Sequence, residues 1–321
     1  MTRQRLIRTI EIALLLFVIS NILVAFGTRH SPEKRKLMSI RNAVARDCIA
    51  FGNSLIDVAF VPEVFDVETA RNGHKLTSVN AGLWATYPVE HLILLKEALR
   101  VSPHPRFIIY GFYDFQLTTE PKTRADDLFG NRSLGLFLEP KTAQRLYKMP
   151  IDSRIEVELL GNLPLFADRG GLYFRVSEFR ESLKELGKAR PLAGASTRFA
   201  ELEANSIDDF NRDCLRQVAE KAPLSESVLE MIREAKVHGA QLIFTEMPLS
   251  PEHVRRFYGS AGWPVYRDYV VSLLQQQHVE FLDSSEWLTE PLSFIDEIHL
   301  SRSGSEDFTR ELARELLLVN R

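Results

Sequence analysis

Cys48-Ile49-Ala50-Phe51-Gly52-Asn53-Ser54-Leu55-Ile56 is the stretch whose reading decides the fold. A short apolar run ends in a glycine and two small polar residues and then turns apolar again, which predicts a buried strand breaking into a helix. In an open α/β sheet the carboxyl ends of such strands are where ligands bind, so a hydroxyl there stands at the end of a rigid element. Taken alone, Asn53 or Ser54 reads equally as a helix cap, a role both residue types fill often.

Working outward, the same rhythm of strand and helix repeats. A second, short strand is expected over 76–80, followed by 81–87 and a helix that Pro88 starts at its first position. Arg106-Phe107-Ile108-Ile109-Tyr110 is apolar enough for a central parallel strand and ends in Gly111-Phe112-Tyr113-Asp114. The rhythm stops over about 117–223, where charge and turn residues are denser. That excursion reads as a mainly helical insertion over the carboxyl edge of the sheet, with helices expected at 172–186 and 206–220. Strands at 241–245 and 279–282 follow, each after a helix (227–238 and 264–277). Ser303 and Glu306 carry a capping-box signature for a last helix. Five strands with helices between them predict a three-layer α/β/α fold, a flavodoxin-like doubly wound parallel five-stranded sheet.

The amino-terminal end reads differently. Arg3, Arg5 and Arg8 precede an apolar run over 10–26 broken by Glu11, Ser20 and Asn21, which predicts one transmembrane helix. Val24-Ala25-Phe26-Gly27 does not offer a convincing small-x-small cleavage site, so an uncleaved signal anchor over 1–27 is expected, then a charged connector over 28–47 and the main domain over 48–321. Arg29, Lys34, Arg35 and Lys36 follow the span, so the charge rule does not orient it. A short basic head before an early apolar run is the arrangement of an export signal. It places the main domain on the extracytoplasmic, periplasmic side of the inner membrane, with the membrane as a partner through the N-terminal helix.

Composition excludes several classes. A formal net charge of −3, with lysine and arginine scattered, leaves no electrostatic footprint for nucleic acid. Two cysteines, Cys48 and Cys214, make neither a disulfide framework nor a zinc spacing, and read as unpaired thiols. No metal or cofactor is expected. His74, His91, His104, His238, His253 and His278 show no partner spacing and read as structural or surface groups.

Each remaining loop of interest follows a strand's carboxyl end: Ser54 the first, Gly82 the second, Tyr113 and Asp114 the third, Asp296 and His299 the fifth. A serine nucleophile needs a base, a group that orients the base, and N–H donors for the oxyanion. In order and placement, Gly52-Asn53-Ser54, Asn80-Ala81-Gly82 and Asp296-Glu297-Ile298-His299 resemble the blocks of the SGNH, or GDSL-like, hydrolase superfamily. The resemblance covers most of 48–317. It implies Ser54 as nucleophile, His299 as base, Asp296 as its orienting acid and Gly82 as an oxyanion N–H. One block departs: where the family reads Gly-x-Asn-Asp, Gly111-Phe112-Tyr113-Asp114 puts tyrosine in place of the asparagine that completes the oxyanion hole. Losing one such donor typically costs a factor of ~100 to 1,000 in turnover.

The implied activity is ester hydrolysis, or transfer of an acyl group to a hydroxyl, through an acyl-Ser54 intermediate. The expected substrates are acyl esters of envelope carbohydrate or lipid, with a membrane acyl-donor protein as a further partner in the transferase case. The alternative is an impaired member that binds polysaccharide or scaffolds an envelope assembly, which the Tyr113 substitution favours.

Overall fold

The structure, a computed structural model, describes residues 3–84, 86–118, 163–168 and 196–319. It divides into two compact units, one of 1–38 with 122–192 and one of 39–121 with 193–321.

The larger unit is built on five parallel strands: β1 Cys48–Gly52, β2 Ser78–Asn80, β3 Phe107–Phe112, β4 Gln241–Glu246 and β5 Glu280–Asp283. Their order, β2-β1-β3-β4-β5, is that of a doubly wound sheet reversing between β1 and β3. β1 and β3 are buried at every position, so they read as continuous apolar runs rather than alternating ones.

Successive side chains of a strand point to opposite faces, and β3 shows what lies on each. Tyr110 meets His91, with ring centroids 5.6 Å apart, on the helix Pro88–Val101. Gly111, the next residue, faces Ile56 on the helix Ser54–Ala59. On the Tyr110 side, Pro88–Val101 packs with Glu226–Val237. On the Gly111 side, Ser54–Ala59 packs with Arg302–Val319, which also covers Pro62–Arg71. The result is the three-layer α/β/α arrangement. A row of aromatic residues in register, Phe51, Tyr110, Phe244 and Phe281, crosses four strands.

Local chemistry accounts for the helix ends. Pro88 opens Pro88–Val101, where its missing N–H costs nothing. Ser225 caps Glu226–Val237 through the N–H of Val228, and Gly239 takes positive φ (66°) just past its end. The last helix begins at Arg302, two residues earlier than the capping-box reading: Ser301, not Ser303, accepts the Gly304 N–H (3.3 Å), and Glu306 pairs with Arg310.

Helix Ser196–Ala219 belongs to the larger unit and packs on Gly262–Gln276. The helix expected at 172–186 lies outside the described residues. Within 28–47 the chain forms a helix, Pro32–Arg41. Cys48 and Cys214 are free and buried.

Three glycines converge on one side chain. A Cβ at Gly52 would lie 3.1 Å from Ile56 Cγ2 and 2.6 Å from the Gly111 carbonyl oxygen. At Gly82 it would lie 2.5 Å from Ile56 Cγ2 and 2.6 Å from the Asp57 backbone nitrogen, and at Gly111 2.8 Å from Ile56 Cδ1. Because the Gly82 obstacle includes backbone, Gly82→Ala is expected to destabilise the fold by about 3 kcal/mol through overpacking. Urea unfolding should show a lower midpoint with an unchanged slope.

Candidate active site

Gly52, at φ 150°, turns the chain out of β1, and Asn53 then caps the helix Ser54–Ala59 by accepting the Leu55 N–H (2.9 Å). The cap is therefore Asn53. Ser54 takes the first helical position, half-buried, with its hydroxyl free to pair elsewhere. Its Oγ lies 2.9 Å from His299 Nε2.

The loop after β5 builds the other half. Asp296 Oδ1 accepts the N–H groups of Ile298 (2.9 Å) and His299 (2.8 Å), an Asx-type turn that shapes the loop. The His299 carbonyl accepts the Ile295 N–H (2.9 Å), and Phe294 bridges Leu300. The turn leaves Asp296 Oδ2 2.8 Å from His299 Nδ1. Burial pushes the Asp296 carboxyl up, but the N–H groups and the His299 ring outweigh it and hold it below the usual aspartate value. With the carboxylate on Nδ1, that nitrogen carries the proton and Nε2 can accept from Ser54. Glu297 fixes the loop from outside: its carbonyl accepts the Ser250 N–H (3.1 Å) and its carboxylate meets Arg256 Nη1 (3.1 Å).

The loop after β2 departs from expectation. The Gly82 N–H donates to Asn80 Oδ1 (2.8 Å), while Asn80 Nδ2 donates to the carbonyls of Ile56, Asp57 and Phe60. The N–H expected to face an oxyanion is thus consumed within the loop, because Asn80 folds the turn onto the Ser54 helix. A buried chain holds the same loop from the sheet: Tyr110 Oη to His91 Nδ1 (2.9 Å), His91 Nε2 to Thr86 Oγ1 (2.9 Å), and Thr86 to the Leu83 carbonyl. Burial takes His91 down to about 3, so it bridges as a neutral ring.

The block after β3 also differs. Burial, followed by the charges of Asp114 and Tyr87, raises the Tyr113 hydroxyl to about 12, which keeps it protonated. Asp114, at φ 51°, does not present a free carboxylate: Tyr258 Oη donates to its Oδ1 and accepts its N–H, each at 3.0 Å. Burial first, then Glu246, raises Asp114 to about 7 despite the Tyr258 bond. A carboxyl raised this way favours its protonated form in the fold. Its contribution is complete below the unfolded value near 3.8 and is lost as pH climbs to about 7. Asp114→Asn is therefore expected to stabilise the protein at pH 8 by about 2 kcal/mol, a figure that allows for the water this half-buried carboxyl retains. Unfolding in urea at pH 5 and pH 8 should show a shallower decline than in the parent.

Glu246 and Asp283, at the ends of β4 and β5, share Arg267 in an ion network. Two neighbours of the site carried no signal in the sequence. Gln116 Oε1 accepts from Asn53 Nδ2 (3.3 Å), which places its carboxamide beside the residue before Ser54, and Arg256 reaches Glu297 from a π-helical turn, Val254–Tyr258.

No protein-family model matches the sequence, and no curated protein matches it. Among solved structures it is similar to a GDSL-like lipase from Bacteroides thetaiotaomicron (10% identity, 90% of this chain and 98% of that one, TM-score 0.39). It is also similar to a carbohydrate acetylesterase family member from Sinorhizobium meliloti (10%, 84% and 97%, TM-score 0.34) and to an aryl esterase from M. smegmatis (12%, 85% and 99%, TM-score 0.35). These likenesses concern the course of the chain and assign no substrate to it.

Proposed function

We propose that the protein is a membrane-anchored serine esterase or O-acyltransferase acting on acyl esters, acetyl foremost, of envelope polysaccharide or lipid. The observation that carries this reading is the hydrogen-bonded line from Ser54 Oγ through His299 to Asp296. Ser54 attacks the ester carbonyl as its proton passes to His299 Nε2; Asp296 holds the ring and offsets the charge that forms on it. His299 then returns the proton to the leaving alkoxide, and the acyl group stays on Ser54 until water or a sugar hydroxyl removes it. The Ser54 N–H, at the first position of its helix where no intrahelical acceptor exists, is the donor offered to the oxyanion.

What supports anchoring is the helix Arg3–Thr28, whose segment Gln4–Thr28 is long and apolar enough to cross a membrane. An export-type amino terminus supports a domain on the periplasmic side of the inner membrane, where envelope esters and a membrane acyl-donor protein would be within reach.

The test is covalent labelling of the full-length protein in detergent with a fluorophosphonate, followed by mapping of the modified peptide. Modification at Ser54 is expected, and folded protein that takes up no label would sink the proposal. Supplying an acetyl ester with and without oligosaccharide then separates the two activities: acetylated sugar marks a transferase, and free acetate alone marks a hydrolase.

A second reading, an SGNH-like protein that binds polysaccharide or scaffolds an assembly without catalysis, is favoured by one observation. The Gly82 N–H is bound to Asn80 and tyrosine replaces the second donor, which removes two groups an oxyanion would use.

A further inference from the structure

Asn21 and Thr28 are the polar residues that an apolar membrane helix would least be expected to carry in its second half, and the structure gives both a partner. Along Arg3–Thr28 the side chains of Leu14, Leu15, Leu16, Ile22, Leu23 and Phe26 are exposed, whereas Asn21, Val24 and Thr28, spaced i, i+3 and i+7, form one buried stripe. The short helix Pro164–Ala167 packs on this helix. The Leu165 N–H, which its own helix cannot satisfy, donates to Asn21 Oδ1 (3.0 Å), and Asn21 Nδ2 donates to the Phe17 carbonyl (2.9 Å). One turn further on, Asp168 accepts from Thr28 Oγ1 (2.7 Å) and from Lys34 Nζ (2.5 Å).

The Leu165 N–H and the Asp168 carboxylate therefore turn toward the helix, while the Leu165 side chain remains 38% exposed. Asn21 lies seven residues, about 10 Å along the axis, before Thr28. If Thr28 and Lys34 sit at the membrane surface, Leu165 sits about that far below it. At such depth irregular backbone is tolerated only where its polar groups are satisfied by protein. Pro164 has no N–H to satisfy, and the next N–H is the one Asn21 takes.

We infer that 163–168 is a second membrane-embedded element, which enters the lipid beside the anchor with Leu163, Pro164 and Leu165 among the acyl chains and Asp168 at the headgroups. The inference rests on reading Arg3–Thr28 as a membrane span. It commits to the bilayer as the occupant of this surface, because the exposed Leu165 lies on an element packed against a helix whose own Ile22, Leu23 and Phe26 are exposed.

The test uses full-length protein in vesicles of phosphatidylethanolamine and phosphatidylglycerol, with bimane attached in separate variants at Leu165→Cys, Leu15→Cys and Val237→Cys. Cys48 and Cys214 are buried, and the parent chain supplies the labelling background. Replacing the lipids with dibrominated chains is expected to quench bimane at Leu165 and Leu15 by at least twofold and to leave it unchanged at Val237, an 80% exposed position of the larger unit. Quenching at Leu15 with none at Leu165 would overturn the inference and leave the membrane span standing. Absence at both would remove the span and the inference together. Asn21→Leu should return the Leu165 signal to the Val237 level while Leu15 stays quenched; a Leu165 signal that stays quenched would show that Asn21 does not hold the segment.

Discussion

Replacing Ser54 by alanine is expected to lower kcat/KM for an activated acyl ester by a factor on the order of 10⁴ to 10⁶, the range seen when a nucleophile that works as part of a unit is removed. The loss should come without a loss of fold. Asn53, not Ser54, caps the Ser54–Ala59 helix, and the Ser54 hydroxyl is hydrogen-bonded to His299. Alanine is also the best helix former for a first-turn position. The measurement is steady-state turnover beside thermal unfolding: a large fall in kcat/KM with a midpoint within a few degrees of the parent is the expected pair. Retained turnover would remove Ser54 from the chemistry, whereas no turnover by the folded parent would favour the binding reading.

Asp296→Asn is expected to cost about 10⁴ in kcat, the size of effect that follows when the base is locked in the wrong tautomer. Asp296 has two tasks on separate oxygens. Oδ1 accepts the backbone N–H groups of Ile298 and His299, and Oδ2 is the closer oxygen to His299 Nδ1. An asparagine that keeps its oxygen on the two backbone groups turns its NH₂ toward Nδ1. The ring must then accept at Nδ1 and carry its proton on Nε2, where it cannot take one from Ser54. The loop should keep its shape, so kcat falls while KM and the unfolding midpoint change little. A KM effect with kcat intact would assign Asp296 to shaping the loop alone.

Much of the sheet was legible because buried parallel strands are short apolar runs bounded by turn residues, and all five strands lie within two residues of the expected bounds. The meeting of Ser54, Asp296 and His299 was legible as geometry for the same reason: each follows a strand's carboxyl end, and an Asp-x-x-His spacing fits a single turn. What stayed hidden depends on contacts between distant segments. A glycine kept for its N–H and a glycine kept because a Cβ has no room look alike in one sequence, and at Gly82 the structure shows the second with the N–H spent on Asn80. The Glu297–Arg256 pair spans 41 residues and Asn53–Gln116 spans 63, and no periodicity announces either. Asp114 read as a site residue because it follows β3, but Tyr258, 144 residues away, claims its carboxyl.

The convergence of Gly52, Gly82 and Gly111 on Ile56 makes the turn that presents Ser54 a socket moulded around one side chain. Three strand ends share a single volume there, so the room for a side chain is set by their sum and not position by position. Space given up by one member becomes available to another: Ile56→Ala, destabilising by itself, should partly rescue Gly82→Ala by making room for the added methyl group. Moving the nucleophile, by design or by drift, therefore requires trading atoms among β1, β2 and β3 rather than redrawing a loop.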